Sequence, residues 1–417
     1  MKQHFLLPYS LVGILFLFEL SVIEGFSEEA ISIADAVALA IAKNPSMEVF
    51  NAETRIAEAR VITALSRPNP ELETEVEDAL GSGPFQDFDN AMYTVGIVQL
   101  IETGRKRHLR GAVADAEQEA QALRYDVARR ALIRETGKRF IGVLAAQEAE
   151  ENARMVLKIA SDAHDAVTTQ IEEGRGSAVD SGQALLGKNE AKLALERAKR
   201  ETTLARKQLS ATWGESDPSF THALGNLSTP PRTIPEIQSL ESSIPNHPLV
   251  LQAEAGVSAA SSFLDLEEKN RIPDLTVGVG YRQYNGVDEN AMVLGFSLPL
   301  PLFNKNKGGI AEAEATIARN QALVDEAKSR VQLALGESHA RLVAARSEHS
   351  LIAEEMLGAA TDHYSKVSEG FSLGRIKYQE LLEARRSLNA VRNQKIEALA
   401  RYHAARVELE TLTGSDL

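Results

Sequence analysis

The side chains best suited to chemistry do not assemble into a reaction centre. Gly182-Gln183-Ala184-Leu185-Leu186-Gly187-Lys188-Asn189 nearly follows the spacing of a phosphate-cradling loop. Asn189 stands where a hydroxyl would complete it, and the segment lies within a predicted helix rather than between strand and helix. His164 lies beside Asp162 and Asp165, and His339, His349 and His363 are scattered. None has the i, i+4 partner and carboxylate that a zinc site uses, so solvated helix faces account for them. No nucleophile and base recur in catalytic order. The sequence therefore predicts no enzyme, no cofactor and no metal site.

Composition narrows the class. The net charge of −14 argues against a nucleic-acid partner and asks for a solvated acidic surface or a cation-facing lumen. With 44% apolar but only 5% aromatic residues, the side chains suit close helix packing rather than a bulky core. There is no cysteine, which excludes disulfides, thiolate metal sites and lipidation at an N-terminal cysteine. Lys2, the apolar run Leu11 to Phe18 and Gly25-Phe26-Ser27 form a secretory signal over residues 1–27. No later stretch reaches about 18 apolar residues, so no membrane helix is predicted in the mature chain.

Two long stretches must position whatever the chain carries. From Gly104 to about Glu173 there is no proline, and Leu109, Val113, Ala116, Ala120, Leu123 and Val127 alternate at spacings of four and three. That is a coiled-coil seam. From about Gly308 to Glu369, Ile310, Ala313, Ile317, Asn320, Val324, Ala327, Val331 and Ala334 carry a second seam, with Asn320 as a lone polar register-setter. Proline costs about 3 kcal/mol inside a helix. Apart from one in the signal, all prolines fall between Pro45 and Pro84, Pro218 and Pro248, or Pro273 and Pro301.

The chain also repeats itself with an offset of roughly 200 residues. Each half reads as a helix, a strand pair, a long helix, a glycine turn and a return helix. The first opens near Ser32–Ser66 with a break at Asn44-Pro45, has strands at Glu71–Leu80 and Ala91–Ile101, turns at Gly174-Arg175-Gly176-Ser177 and ends at Trp213-Gly214. The second echoes it at Asn246-His247-Pro248, Asp274–Tyr284, Asn290–Leu300, Gly374-Arg375 and Thr413-Gly414. This predicts a first repeat over 28–214, an irregular connector over 215–245 and a second repeat over 246–417. In each half the two short helices together match the long one, so they can stack end to end beside it.

The strands decide between a rod and a channel. Leu72, Thr74, Val76 and Leu80 alternate with Glu71, Glu73, Glu75 and Glu77. Leu275, Val277, Val279 and Tyr281 alternate with Thr276, Gly278, Gly280 and Arg282, and Met292 to Leu300 behaves likewise. Segments of this length cross a bilayer when tilted. A soluble four-stranded sheet with its polar face in water satisfies the same alternation. Four strands cannot close a barrel, so a membrane reading requires several chains to share one.

The duplication, the strand pairs between helices, the turn Glu173-Gly174-Arg175-Gly176-Ser177-Ala178-Val179-Asp180 and the segment Pro299-Leu300-Pro301-Leu302-Phe303-Asn304-Lys305-Asn306-Lys307-Gly308 resemble the TolC family of outer-membrane efflux proteins. The Pro-Leu-Pro-Leu-Phe run is most similar to its heavy-metal, cobalt-zinc-cadmium type branch. The resemblance implies a mainly α chain with membrane β, tandem duplicated. Four strands per chain would contribute to a trimeric twelve-stranded β-barrel above a periplasmic α-helical coiled-coil barrel. It implies a homotrimer in the bacterial outer membrane and its lipid, docked to a periplasmic adaptor (membrane fusion protein) and an inner-membrane transporter of RND type. It further implies that Gly174, Arg175, Gly176, Ser177, Gly374 and Arg375 form adaptor-docking tips. Asp180, Phe371 and Arg375 would belong to the gate, and Glu380 and Glu383 would ring the entrance. Where an example of the family has tyrosine and arginine, this chain has Phe371 and Ile376, with Arg375 adjacent, so the hydrogen-bond and ion-pair latch would be weaker or rewired.

The resulting expectation is a passive exit duct for heavy-metal cations. Multidrug efflux and type I protein secretion share the same duct. A periplasmic coiled-coil adaptor or scaffold is the alternative from another class, and it would carry one hairpin and soluble β domains.

Overall fold

A computed structural model describes residues 30–174, 176–228 and 233–414. The predicted signal, Arg175 and the Pro230-Pro231 pair of the connector lie outside the described residues. After a two-residue strand β1 (Ala30–Ile31), the first repeat runs α1 (Ile33–Lys43), α2 (Pro45–Leu65), β2 (Glu71–Glu77), β3 (Met92–Ile101), α3 (Lys106–Glu172) and α4 (Ala178–Ser210). The connector holds β4 (His222–Ala223) and α5 (Ile237–Glu241). The second repeat runs α6 (Pro248–Lys269), β5 (Leu275–Tyr284), β6 (Glu289–Ser297), α7 (Lys307–Leu351), α8 (Leu357–Ser372) and α9 (Tyr378–Thr413).

Local chemistry explains the breaks. Ser32 and Asp35 form a reciprocal capping box at the start of α1. At the start of α2, Asn44 caps by accepting from the Ser46 amide at 2.8 Å, with Pro45 in the first turn. The second repeat places His247, not Asn246, in the same role: its Nδ1 accepts from the Leu249 amide at 3.1 Å ahead of Pro248. The long helices leave the sheet through left-handed residues at matching positions, Arg105 at φ 61° and Asn306 at φ 55°.

The four long strands form one antiparallel sheet in the order β2-β3-β5-β6, so the two repeats meet at β3 and β5. The strands are shorter than predicted: β2 ends at Glu77 and β6 at Ser297, and Leu80 has φ 56°, outside strand geometry. One face carries Leu72, Val95, Ile97, Val279, Tyr281, Met292, Leu294 and Phe296, all exposed. The other carries the β2 glutamates, Thr94 and Arg282, whose Nη2 lies 2.7 Å from Glu77. Below the sheet, Lys106 is buried and reaches Asp274 at 2.9 Å, while the Thr103 amide donates to the same carboxylate at 2.8 Å. Burial of Asp274 is outweighed by these donors, which hold its carboxyl below the usual range.

In the first seam Ala116 is buried while Leu109, Val113, Ala120, Leu123 and Val127 are half-buried, and Gly111 and Ala114 are buried beside them. The second seam follows the predicted spacing with one correction. Ala313, Val324, Ala327 and Val331 of α7 are buried, but the next buried residue is Leu335 rather than Ala334, followed by Ser338, Leu342 and Ala345. A straight helix drifts against a seven-residue repeat, and two consecutive steps of four restore the contact. Asn320 donates to the Gly256 carbonyl of α6 at 2.8 Å, fixing the register of that pair. The second long helix is not continuous: a π turn at Ile352–Met356 separates α7 from α8, where Leu357 donates back five residues to Ile352. The described part of the connector is tied to the helices. β4 pairs in parallel with β1, and the Gln147 side chain of α3 both accepts from the Ala223 amide at 2.8 Å and donates to its carbonyl at 3.2 Å. His403 and His339 hydrogen-bond the Leu227 and Pro235 carbonyls at 3.0 and 2.9 Å, clipping the connector onto α9 and α7.

His247 yields a pH prediction. Burial, reinforced by Arg130 and Arg134, pushes its pKa down to about 4, while an unfolded histidine titrates near 6.5. Between those values the unfolded chain binds the extra proton. This group's contribution is therefore complete above about pH 6.5 and is lost as pH falls toward 4. Asparagine can cap without titrating. His247→Asn is therefore expected to narrow the difference in urea midpoint between mildly acidic and neutral buffer; an unchanged difference would assign it to another group.

Candidate functional site at the helical tip

The far end of each hairpin is a glycine turn. Gly174 has φ 75° and its amide donates to the Ile171 carbonyl at 2.9 Å; Gly374 has φ 68° and donates to Phe371 in the same way at 2.9 Å. That left-handed conformation carries a penalty for a residue with a Cβ. Gly176 is required for space, because a Cβ there would sit 2.8 Å from the Ile171 amide nitrogen. Ser177 caps α4 by accepting from the Val179 amide at 3.1 Å. Arg375 is exposed, and its amide donates to the Gly370 carbonyl at 2.9 Å.

The two hairpins meet in one apolar cluster. Val167 of α3, Ala184 of α4, Val367 and Phe371 of α8, and Tyr378, Leu381 and Ala384 of α9 are buried together. Phe371 meets Tyr378 edge-on, with ring centroids 6.0 Å apart. Ile376 packs so tightly over Gly370 that a Cβ on that glycine would lie 2.5 Å from its Cδ1. Phe371 is thus part of the tip core, and Ile376 is turned inward rather than toward a charged partner.

Two of the predicted acidic residues sit in first helical turns, and Glu383 follows in the next turn of α9. Asp180 is half-buried in the first turn of α4, and Glu380 is exposed in the first turn of α9. Glu383 is exposed and accepts from Gln379 at 3.3 Å. Among the described residues none of the three makes an ion pair. The carboxylates of Asp180 and Glu380 also favour the positive ends of the two helices.

Sequence reasoning missed the polar pair beside them. Tyr378 is only 2% exposed and Arg385 only 7%, and both approach Gly187 of α4. A Cβ at Gly187 would stand 3.1 Å from the guanidinium and 3.2 Å from the phenol oxygen. Among the described residues that oxygen has no hydrogen-bond partner, and burial pushes its pKa up. The signal was present: Tyr378, Leu381, Arg385 and Leu388 follow steps of three, four and three, placing an arginine in a seam as asparagine stands in α7. Nearby, Arg386 reaches Glu190 at 3.1 Å and ties α9 to α4. Gly182 to Asn189 lies wholly inside α4, where Gly187 is buried against α9 and Gly182 is exposed. Among the described residues no group of three or more His, Asp or Glu side chains could hold a metal, and no helix is long and apolar enough to cross a membrane.

Comparison with known proteins agrees with this geometry. The pattern of the outer membrane efflux protein family matches residues 36–215 and 240–415, one match in each half. The cobalt-zinc-cadmium resistance protein CzcC of Cupriavidus metallidurans is 29% identical over 405 residues, covering 94% of this chain and 93% of the relative. The nickel and cobalt resistance protein CnrC of the same species is 28% identical, covering 70% and 69%. Among solved structures, the outer membrane protein VceC of Vibrio cholerae superposes with a TM-score of 0.74 at 16% identity, covering 92% of this chain and 96% of that one. CusC superposes at 0.72 with 15% identity, covering 91% of each. The fold is that of TolC-like channels.

Two substitutions test the tip. Tyr378→Phe removes a buried hydroxyl without a partner, so thermal unfolding should be unchanged or stabilised by up to about 1 kcal/mol. A clear loss would reveal a partner for the oxygen. Gly374→Ala should cost roughly 1–2 kcal/mol through its left-handed backbone, whereas Gly358→Ala, in open space within α8, should cost nothing.

Proposed function

The chain belongs to the outer membrane efflux protein family, a family of channels rather than enzymes, and from that premise we propose that it is the exit duct of a tripartite pump exporting heavy-metal cations. The carrying observation is the four-stranded sheet, with one exposed apolar face, one polar face and two unpaired edges. β3 and β5 have ten residues each, the length of a tilted membrane strand. Two copies would give an eight-stranded barrel, whose interior side chains fill. Three copies give twelve strands and room for a lumen lined by the β2 glutamates and by Gly96, Gly278, Gly280 and Gly295.

In this reading the protein is a homotrimer of the bacterial outer membrane, with its helices crossing the periplasm. Residues 28–214 and 246–417 are the two repeats, and 215–245 the connector between them. Gly174 to Ser177 and Gly374-Arg375 dock a periplasmic adaptor, which joins the duct to an inner-membrane transporter of RND type. Asp180, Phe371 and Arg375 form the gate, and Glu380 and Glu383 ring the entrance. Three carboxylates per ring in a constriction favour cations. The metal assignment is supported by the names of CzcC and CnrC, which are resistance proteins for cobalt, zinc and cadmium and for nickel and cobalt.

A deletion strain is expected to lose tolerance of divalent metals and to regain it with the gene. Sensitivity confined to bile salts or antibiotics would instead make this a multidrug duct. In planar bilayers, Asp180→Ala and Glu383→Ala are expected to change conductance or to lower cation preference; recordings indistinguishable from wild type for both would remove these residues from the entrance.

A further inference from the structure

The two ends of the sheet differ in charge. At the end away from the helices, Glu77, Asp78, Asp87, Asp89, Asp288 and Glu289 cluster in the turns, with no Lys or Arg between Glu77 and Ala91 or between Asn285 and Asn290. At the helix end the sign reverses, although the chain as a whole carries −14. Arg67 precedes β2, Arg105 follows β3, Lys269 and Arg271 precede β5, and Lys305 and Lys307 follow β6. All six are exposed, and none has an ion pair among the described residues. Three of the acids at this level are engaged, Glu102 by Arg110, Asp274 by Lys106 and Glu267 by Asn306, while Glu71 and Glu268 are exposed and are outnumbered by the six cations.

An apolar ridge enters the same zone. The lipid-compatible stripe of β6, Met292, Leu294 and Phe296, continues past the last paired residue as Leu298, Leu300 and Leu302, all exposed. It ends at Phe303, which is 100% exposed, with Lys305 two residues further on. An aromatic ring flanked by cations is the pattern that seats a membrane protein at the headgroup boundary.

We propose that Leu302 to Lys307 is an interfacial anchor for phospholipid in the leaflet on the helix side. Leu302 and Phe303 enter the edge of the acyl region. Lys305 and Lys307, joined by the other four cations around the collar, bind the phosphates of anionic headgroups. The anchor fixes the depth of the barrel and the point at which helices leave the bilayer. It rests on the reading of the sheet as a membrane barrel, and it assigns a role to a segment that neither strand nor helix uses.

Trp213 is the sole tryptophan and is buried in the helical core, so a Trp213→Phe background leaves a clean reporter. Phe296→Trp and Phe303→Trp would be placed singly in it and reconstituted in phosphatidylethanolamine–phosphatidylglycerol vesicles carrying brominated acyl chains. Both reporters are expected to be quenched, the 303 reporter most strongly by bromines near the headgroup. Quenching at 296 with none at 303 would overturn the anchor while leaving the barrel intact. No quenching at either would remove the barrel reading itself. With spin-labelled phosphatidylglycerol, Lys305→Gln and Lys307→Gln should each lower selectivity over phosphatidylcholine by about fivefold. Unchanged selectivity in the double variant would overturn the headgroup assignment.

Discussion

A strand edge in hydrocarbon exposes amides and carbonyls that nothing there can satisfy, at several kcal/mol each. The sheet has two such edges, the outer sides of β2 and β6. In the proposed barrel each is covered only by another copy, so the chain folds toward an assembly. Much else follows from this. The strands come in pairs that leave and re-enter on the helix side, so each repeat must supply a helical path down and another back. The paired strands must also curve. Gly96 faces Gly280 across β3 and β5, where a Cβ on either would stand 3.0–3.2 Å from the opposing backbone, and the bare crossing lets the two repeats approach closely.

The helices solve a different problem. A 67-residue helix such as α3 cannot be specified by apolar contacts alone, because a seam of alanines and valines slides at little cost. Polar residues placed within the seams remove that freedom. Asn320 holds Gly256 of α6, Asn152 of α3 donates to both Asn389 and Asn393 of α9 at 2.9 and 2.8 Å, and Lys106 holds Asp274 at the top. Displacement of either helix would leave buried amides or a buried ammonium unpaired, which costs more than the bond itself is worth. Register is thus set at the sheet, in the upper part of the helices and again past the midpoint of α3.

These layers were unequally legible in the sequence. Proline placement and glycine turns bounded the helices because both act through local backbone sterics. Strand faces were legible because alternation has a fixed period. Asn320 stood out as a single polar residue in a seam. The π turn was not legible, since Ile352-Ala353-Glu354-Glu355-Met356 has ordinary helical composition and its extra residue answers to packing against α9. Nor were the roles of His339 and His403, which bind carbonyls of the connector more than a hundred residues away. The same limit hid Arg385: its seam position could be counted, but Gly187, which makes room for it, lies on another helix.

The tip shows what the departures from the family pattern achieve together. With phenylalanine at 371 and isoleucine at 376, the turn between α8 and α9 is held by Phe371 against Tyr378 and by Ile376 against Gly370. Apolar contacts are neither screened by salt nor titrated, whereas an exposed ion-pair latch is weakened by both. The difference matters most where the cargo is itself a cation. A latch built on carboxylates would share them with every metal ion that reached the entrance, so cargo and closure would compete for the same groups. On the proposed function the two are separate: Asp180, Glu380 and Glu383 stand without ion pairs among the described residues, and the gate is held by the apolar cluster behind them. On the proposed function, such a tip opens under mechanical bias from its docked partners, and the concentration of the ion it conducts does not open it.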